Sequence, residues 1–179
     1  MEKQCMMILL FVLVLLLTPK GLVFAEESSA GPEGVRIKLV KMARSFLGMP
    51  YRWGGISERK GVDCSGLVKI LFAKLHIDLP RTSREQIHSG EQIALGDLKR
   101  GDLLFFSYDG ATPNHVGLYI GDQRFVHAAK NPGKVIITGL DEPWYNSHLL
   151  GARRILNSTK EIRDTEGEQL TTSTPLLSR

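Results

Sequence analysis

A change of hydrophobic period near Leu98 constrains the fold of this chain more than any other feature. Before it, Leu39, Val40, Ala43, Phe46 and Leu47 recur at the spacing of an amphipathic helix over residues 35–47, which Gly48 and Pro50 end. Asp63 is a good N-cap for a second helix over 64–75, with Leu67, Val68, Leu71, Phe72 and Leu75 on its inward side. Thr82-Ser83-Arg84-Glu85 has the form of a capping box, which starts a short helix ending near Gly90. After Leu98 the apolar residues fall into short β-rich runs at 103–106, 115–120, 124–128, 135–138 and 150–155. Turns containing Gly101-Asp102, Gly121-Asp122 and Pro132-Gly133 separate most of them. Helices first and strands second predict an α+β domain, with N-terminal helices packed on an antiparallel β-sheet.

A chain of 179 residues is long enough for one compact core and rarely for two, so residues 35–156 are read as a single domain. Ahead of it, residues 6–17 form an unbroken apolar run after Lys3, and Val23-Phe24-Ala25 precedes Glu26-Glu27. This is the pattern of a secretory signal peptide over residues 1–25. The run is shorter than the ~20 residues of a spanning helix; an uncleaved anchor is the alternative, if the stretch to Phe24 extends it. Cys5 precedes the run and no cysteine stands at the cleavage point, so export to the periplasm, envelope or medium without a lipid anchor is expected. Residues 26–34 read as a flexible leader, and residues 157–179, rich in Thr, Ser and Glu, as a disordered tail. The formal charge is +4, but Lys and Arg form no run with interleaved aromatics, which argues against a nucleic acid partner.

Cleavage after Ala25 would remove Cys5 and leave Cys64 as the only thiol, with no partner for an intramolecular disulfide. A lone exported thiol is either an inert buried hydrophobe or a reactive group. In the first turn of a helix, unpaired N–H groups lower a thiol pKa, and the same amides can help to hold an oxyanion. Gly66 beside it permits close backbone approach. A cysteine nucleophile also needs a base, and the candidates are His76, His88, His115, His127 and His148. His76 follows the helix, about 18 Å along its axis from Cys64, and His88 and His148 fall in surface segments.

His115 and His127 lie on adjacent β runs that read as a hairpin. A three-residue loop, Gly121-Asp122-Gln123, sets His127 opposite Gly117 and diagonal to His115 on one sheet face. Gly117 would then leave room between the rings. A two-residue loop would put the imidazoles on opposite faces. In the first arrangement one histidine takes the thiol proton while the other fixes its tautomer and orientation. Taken singly, each histidine could simply line a strand. There is no HExxH, no paired CxxC and no third ligand beyond the thiol, so neither a metal nor a cofactor is expected.

Six stretches, in order, carry a family resemblance: Pro50-Tyr51-Arg52-Trp53-Gly54-Gly55, Val62-Asp63-Cys64-Ser65-Gly66-Leu67-Val68, Leu79-Pro80-Arg81-Thr82-Ser83, Gly101-Asp102-Leu103-Leu104-Phe105-Phe106, Asn114-His115-Val116-Gly117-Leu118-Tyr119-Ile120-Gly121 and Phe125-Val126-His127-Ala128. Together they resemble the NlpC-type cell-wall cysteine peptidases over most of residues 35–156. The resemblance implies a papain-like α+β fold, with Cys64 as nucleophile, His115 as general base and His127 as the polar third residue. It also implies that the Tyr51 hydroxyl supports the oxyanion and that Asp63 and Ser65 line the groove for the acyl-side peptide. The implied reaction is hydrolysis of an amide bond in peptidoglycan stem peptides, commonly between the side-chain carboxyl of D-glutamate and a diamino acid. Some relatives cut the cross-link between a diamino acid and D-alanine instead. The rival is a catalytically silent wall-binding scaffold, against which the intact Cys64, His115 and His127 stand. Trp53 is expected to pack under the sheet, and Arg81 either to meet a substrate carboxylate or to pair internally. Many members carry a separate wall-binding module; with none expected here, wall targeting falls to the domain, the tail or a partner.

Overall fold

A computed structural model describes residues 31–156. The expected signal peptide, the leader before Gly31 and the tail over 157–179 lie outside the described residues. The last part of the expected leader is helical: α1 spans Pro32–Ser45, with Pro32 at its start and Glu33 in its first turn. Proline is pre-set for that position and an acid there complements the helix dipole, so the helix begins ahead of its apolar stripe. The helix that begins at Cys64, α2, spans Cys64–Ala73, and α3 is the short Ser83–Gln86. Glu85 reaches back to accept from the Thr82 amide at 3.0 Å, as the capping box predicts, and also from the Thr82 hydroxyl at 2.7 Å.

Between α1 and α2 lies a two-stranded ribbon of β1 (Ile56–Ser57) and β2 (Gly61–Val62). The main sheet holds β3 (Glu91–Ile93), β4 (Leu103–Phe106), β5 (His115–Gly121), β6 (Arg124–Ala129), β7 (Lys134–Gly139) and β8 (Leu149–Arg154). Its spatial order is β3-β8-β4-β5-β6-β7, and its pairings are antiparallel. A last helix, α4, spans Pro143–His148.

Alternation divides the sheet into two faces. Leu103, Phe105, Val116, Leu118, Ile120, Val126 and Ala128 point to α1 and α2 and meet Leu39, Ala43, Leu67, Leu71 and Phe72 in the main core. Leu104, Phe106, Tyr119 and Phe125 point the other way, into a smaller core closed by Trp144 and Tyr145 of α4. Charge joins the first helix to the last strand. Asp102, fully buried, accepts from Arg154 Nε at 2.9 Å and Nη2 at 2.7 Å and lies 3.5 Å from Arg36 Nη1. Arg36 Nη2 continues to the Leu156 carbonyl at 2.6 Å, so α1, the start of β4 and the chain leaving β8 share one clasp.

Candidate active site

Cys64 is the first residue of α2 because Asp63 stops the extended chain and caps the helix. Asp63 Oδ1 accepts from Gly66 N at 2.7 Å. Gly66 has no substitute here: a Cβ would stand 2.1 Å from the Gly55 carbonyl oxygen. The other carboxylate oxygen accepts from Gly54 N at 2.9 Å, which fastens the Tyr51–Gly54 turn to the start of α2. Arg81 completes the arrangement. Its Nη2 lies 2.6 Å from Asp63 Oδ2, and its Nη1 bonds Asp63 Oδ1 at 3.1 Å and Ser65 Oγ at 3.0 Å. Of the two readings open for Arg81, internal pairing is the one observed, and the contact raises its pKa further.

The half-buried Cys64 thiol departs from the activated state that a helix N-terminus suggests. Burial pushes its pKa up, the Asp63 carboxylate adds to this, and the amides of Val116, Ser65 and Cys64 itself pull it down by less. The helix-end amides do act as expected, but desolvation outweighs them. At neutral pH the thiol is protonated.

The histidines come together on one face, as the three-residue loop would have placed them, but the hairpin that does so is a different one. The loop between β5 and β6 holds two residues, Asp122 and Gln123, both with positive φ, 53° and 55°, and Gly121 pairs with Arg124. That loop alone would set the rings on opposite faces. A bulge between Tyr119 and Gly121 adds one residue to β5, and beyond it Tyr119 pairs with Phe125 and Leu118 with Val126. Both histidines therefore lie on the smaller-core face, with His115 Nε2 2.8 Å from His127 Nδ1. Gly117 does not leave space between them. A Cβ there would meet the Phe125 ring at 2.5 Å, and Phe125 in turn packs against the His127 ring at 4.7 Å between centroids.

His127 is fully buried, and its Nε2 bonds Thr138 Oγ1 at 2.9 Å. Tyr145 crosses its ring edge-on at 5.2 Å. Burial lowers the pKa of His115 to about 4. Burial and then the neighbouring His115 lower that of His127 to about 2. Both rings are neutral at pH 7. Because His115 Nε2 is engaged with His127, Nδ1 is the nitrogen left for a proton from the groove.

That groove, about 1190 Å³, opens where β5 begins and β6 ends, and Cys64 and His115 both line it. They are not hydrogen-bonded to each other in this resting arrangement, although the Val116 amide, next to His115, reaches the sulfur. Tyr51, Asp63 and Ser65 line the groove as well. Burial and the neighbouring Cys64 and Asp63 raise the Tyr51 phenol, which stays a donor. Trp53 contradicts its expected place under the sheet: it is 85 % exposed at the groove. It occupies a turn closed by Gly55 N to Arg52 O at 2.9 Å, with Gly54 at φ 72°, and such a turn faces water. Thr138 and Tyr145 had no place in the sequence reading. The hydroxyl of Thr138 in an otherwise apolar strand was the available signal, whereas α4 has no helical apolar stripe to announce Tyr145. Among the described residues, no group of three or more His, Cys, Asp or Glu could hold a metal ion.

A thiol at a helix N-terminus, facing imidazoles on an antiparallel sheet, defines the papain-like class of α+β domain. The sequence profile of the NlpC/P60 family matches residues 48–154, and the chain belongs to that family. Murein DD-endopeptidase MepH of Escherichia coli K12 is 42 % identical over 114 residues, which are 62 % of this chain and 42 % of that protein. The gamma-D-glutamyl-L-lysine dipeptidyl-peptidase of Bacillus subtilis 168 is 38 % identical over 138 residues, 73 % of this chain and 46 % of its own. The chain thus spans less than half the length of these two relatives. A crystal structure of an NlpC/P60 family protein from Bacillus cereus ATCC 10987 superposes with a TM-score of 0.65 at 35 % identity, over 68 % of this chain and 40 % of that one.

Proposed function

We propose that this protein is an exported peptidoglycan endopeptidase that cleaves an amide bond of wall stem peptides through Cys64. The observation that carries the reading is the line of polar groups from Cys64 and His115 in the groove, through the 2.8 Å contact to His127, to Thr138. As Cys64 Sγ attacks the scissile carbonyl, its proton passes to His115 Nδ1, and the Tyr51 hydroxyl with nearby amides takes the charge on the carbonyl oxygen. His115 then protonates the leaving amine, and the C–N bond breaks to leave a thioester on Cys64. Water, giving a proton to His115, attacks the thioester and releases the acid and the free thiol. The neutral pair makes this general-base catalysis, with charge created during attack.

The family membership and the relatives named for murein bonds support peptidoglycan as substrate. The charge of the groove fits an acidic stem: Asp63 is neutralised by Arg81, and Arg84 and Lys130 line the groove as further cations. Of the two bonds, the one between D-glutamate and the diamino acid is our first choice, with the D-alanyl cross-link as the second. The test is digestion of purified peptidoglycan by the mature protein, with mass analysis of released muropeptides. New amine termini at one bond, lost with Cys64→Ala, are expected. Undiminished release by that variant would sink the reading.

A further inference from the structure

Tryptophan is among the residues most thoroughly covered by folding, so an indole left in water is informative. Trp53 is 85 % exposed and Tyr108 is 71 % exposed, and both line the groove that holds Cys64. Tyr108 rests against Trp144 at 5.1 Å between centroids, and Trp144 is held from behind by His148, stacked at 4.4 Å. The backbone that carries Trp53 is also fixed. Its turn is closed at 2.9 Å and fastened through Gly54 to Asp63, the cap of the nucleophile helix. Trp53 and Tyr108 thus present aromatic surface to water in the groove that holds Cys64.

Two observations say what they fit. The groove, about 1190 Å³, exceeds the range of roughly 300–1,000 Å³ that serves a drug-sized ligand, so it has room for more than the two residues flanking a scissile bond. The exposed faces are also flat and open to water, unlike the concave pocket that would take an aliphatic side chain. A pyranose ring matches such a platform: its C–H face carries partial positive charge toward the negative π face, while its hydroxyls stay in water. Resting on the reading of the site as a peptidoglycan peptidase, we propose that Trp53 forms a platform for a sugar ring of the wall glycan, in the groove that Tyr108 and Trp144 also line. Stems still attached to glycan are then the preferred substrates, and the domain supplies part of its own wall targeting.

Calorimetry of the full chain with peptide-free glycan chains, prepared by amidase digestion of peptidoglycan, tests this without any hydrolysis. Saturable binding is expected, weakened about tenfold by Trp53→Ala and less by Trp53→Phe. Trp53 and Trp144 are the two tryptophans of the chain, so a change in intrinsic emission on titration would place the sugar at the groove. A second measurement compares kcat/KM for the same stem peptide with and without its sugar; Trp53→Ala should lower that ratio about tenfold. No glycan binding, or binding indifferent to Trp53→Ala, overturns the subsite. Glycan binding without hydrolysis of either substrate would keep the subsite and count against the peptidase reading alone.

Discussion

At the scale of single residues, the proposed mechanism dictates the tautomers along the hydrogen-bond line. For His115 Nδ1 to accept a proton, the neutral ring must carry its hydrogen on Nε2 and donate to His127 Nδ1; His127 then carries its own on Nε2 and donates to Thr138 Oγ1. In the proposed mechanism Thr138 positions the base by acting through His127. Thr138→Val should cut kcat about tenfold, the cost of stranding one buried N–H, with little change in KM. An unchanged kcat would remove Thr138 from the line. The charge state gives a second expectation. With His115 at about 4, the base stays unprotonated well below its ordinary value of 6.5. The acid limb of kcat/KM should therefore lie nearer pH 4 than 6.5. Cys64, raised by burial, should be alkylated by iodoacetamide more slowly than a free thiol at neutral pH and accelerate only at alkaline pH. Fast alkylation that persists below pH 7 would show an ion pair instead.

At the scale of elements, α2 depends on the glycine beside its first residue. Gly66→Ala forces a Cβ into the Gly55 carbonyl, 2.1 Å away, and backbone cannot step aside as a side chain can. A loss of about 1–3 kcal/mol in stability is expected by thermal or urea unfolding. Activity should fall further than stability, because the displaced segment also carries Tyr51. A variant as stable and active as wild type would show that the helix entry can shift freely. The elements that were legible in sequence share a cause. Asp63, the Thr82–Glu85 box and the alternating runs are local chemistry, and they set α2, α3 and five of the six main-sheet strands. The elements that were not legible depend on tertiary partners: Glu91 and Gln92 become strand only by pairing with β8, and Pro143–His148 becomes helix by placing Trp144 and Tyr145 on the smaller core. The histidine pair stands between these cases. Its shared face was one of two outcomes that the loop length left open, and the bulge that delivers it with a two-residue loop has no signature in the sequence. Nor does the exposure of Trp53, since an aromatic in a strong motif reads equally as core.

At the scale of the whole molecule, the groove is one end of the sheet and the clasp around Asp102 is elsewhere in the fold. Asp102 is absent from the groove lining and fully buried, and it faces two arginines. Burial lowers the Arg36 pKa and Asp102 acts against that shift, so the carboxylate keeps the guanidinium charged inside the domain. Such a cluster adds little when compared with apolar packing, but breaking it leaves uncompensated buried charge. Asp102→Asn retains the shape, removes the charge and turns one acceptor into a donor facing Arg154 or the Lys99 amide. It should cost about 3–5 kcal/mol in urea unfolding. Because the clasp joins α1 to β4 and β8 and does not touch the thiol, the fraction still folded at low temperature should hydrolyse substrate at the wild-type kcat. A shift below about 1 kcal/mol would mean that water already reaches Arg36 and Arg154. A large shift accompanied by a lost kcat in the folded fraction would mean that the sheet transmits strain from the clasp to β5, joining two parts of the molecule that the packing separates.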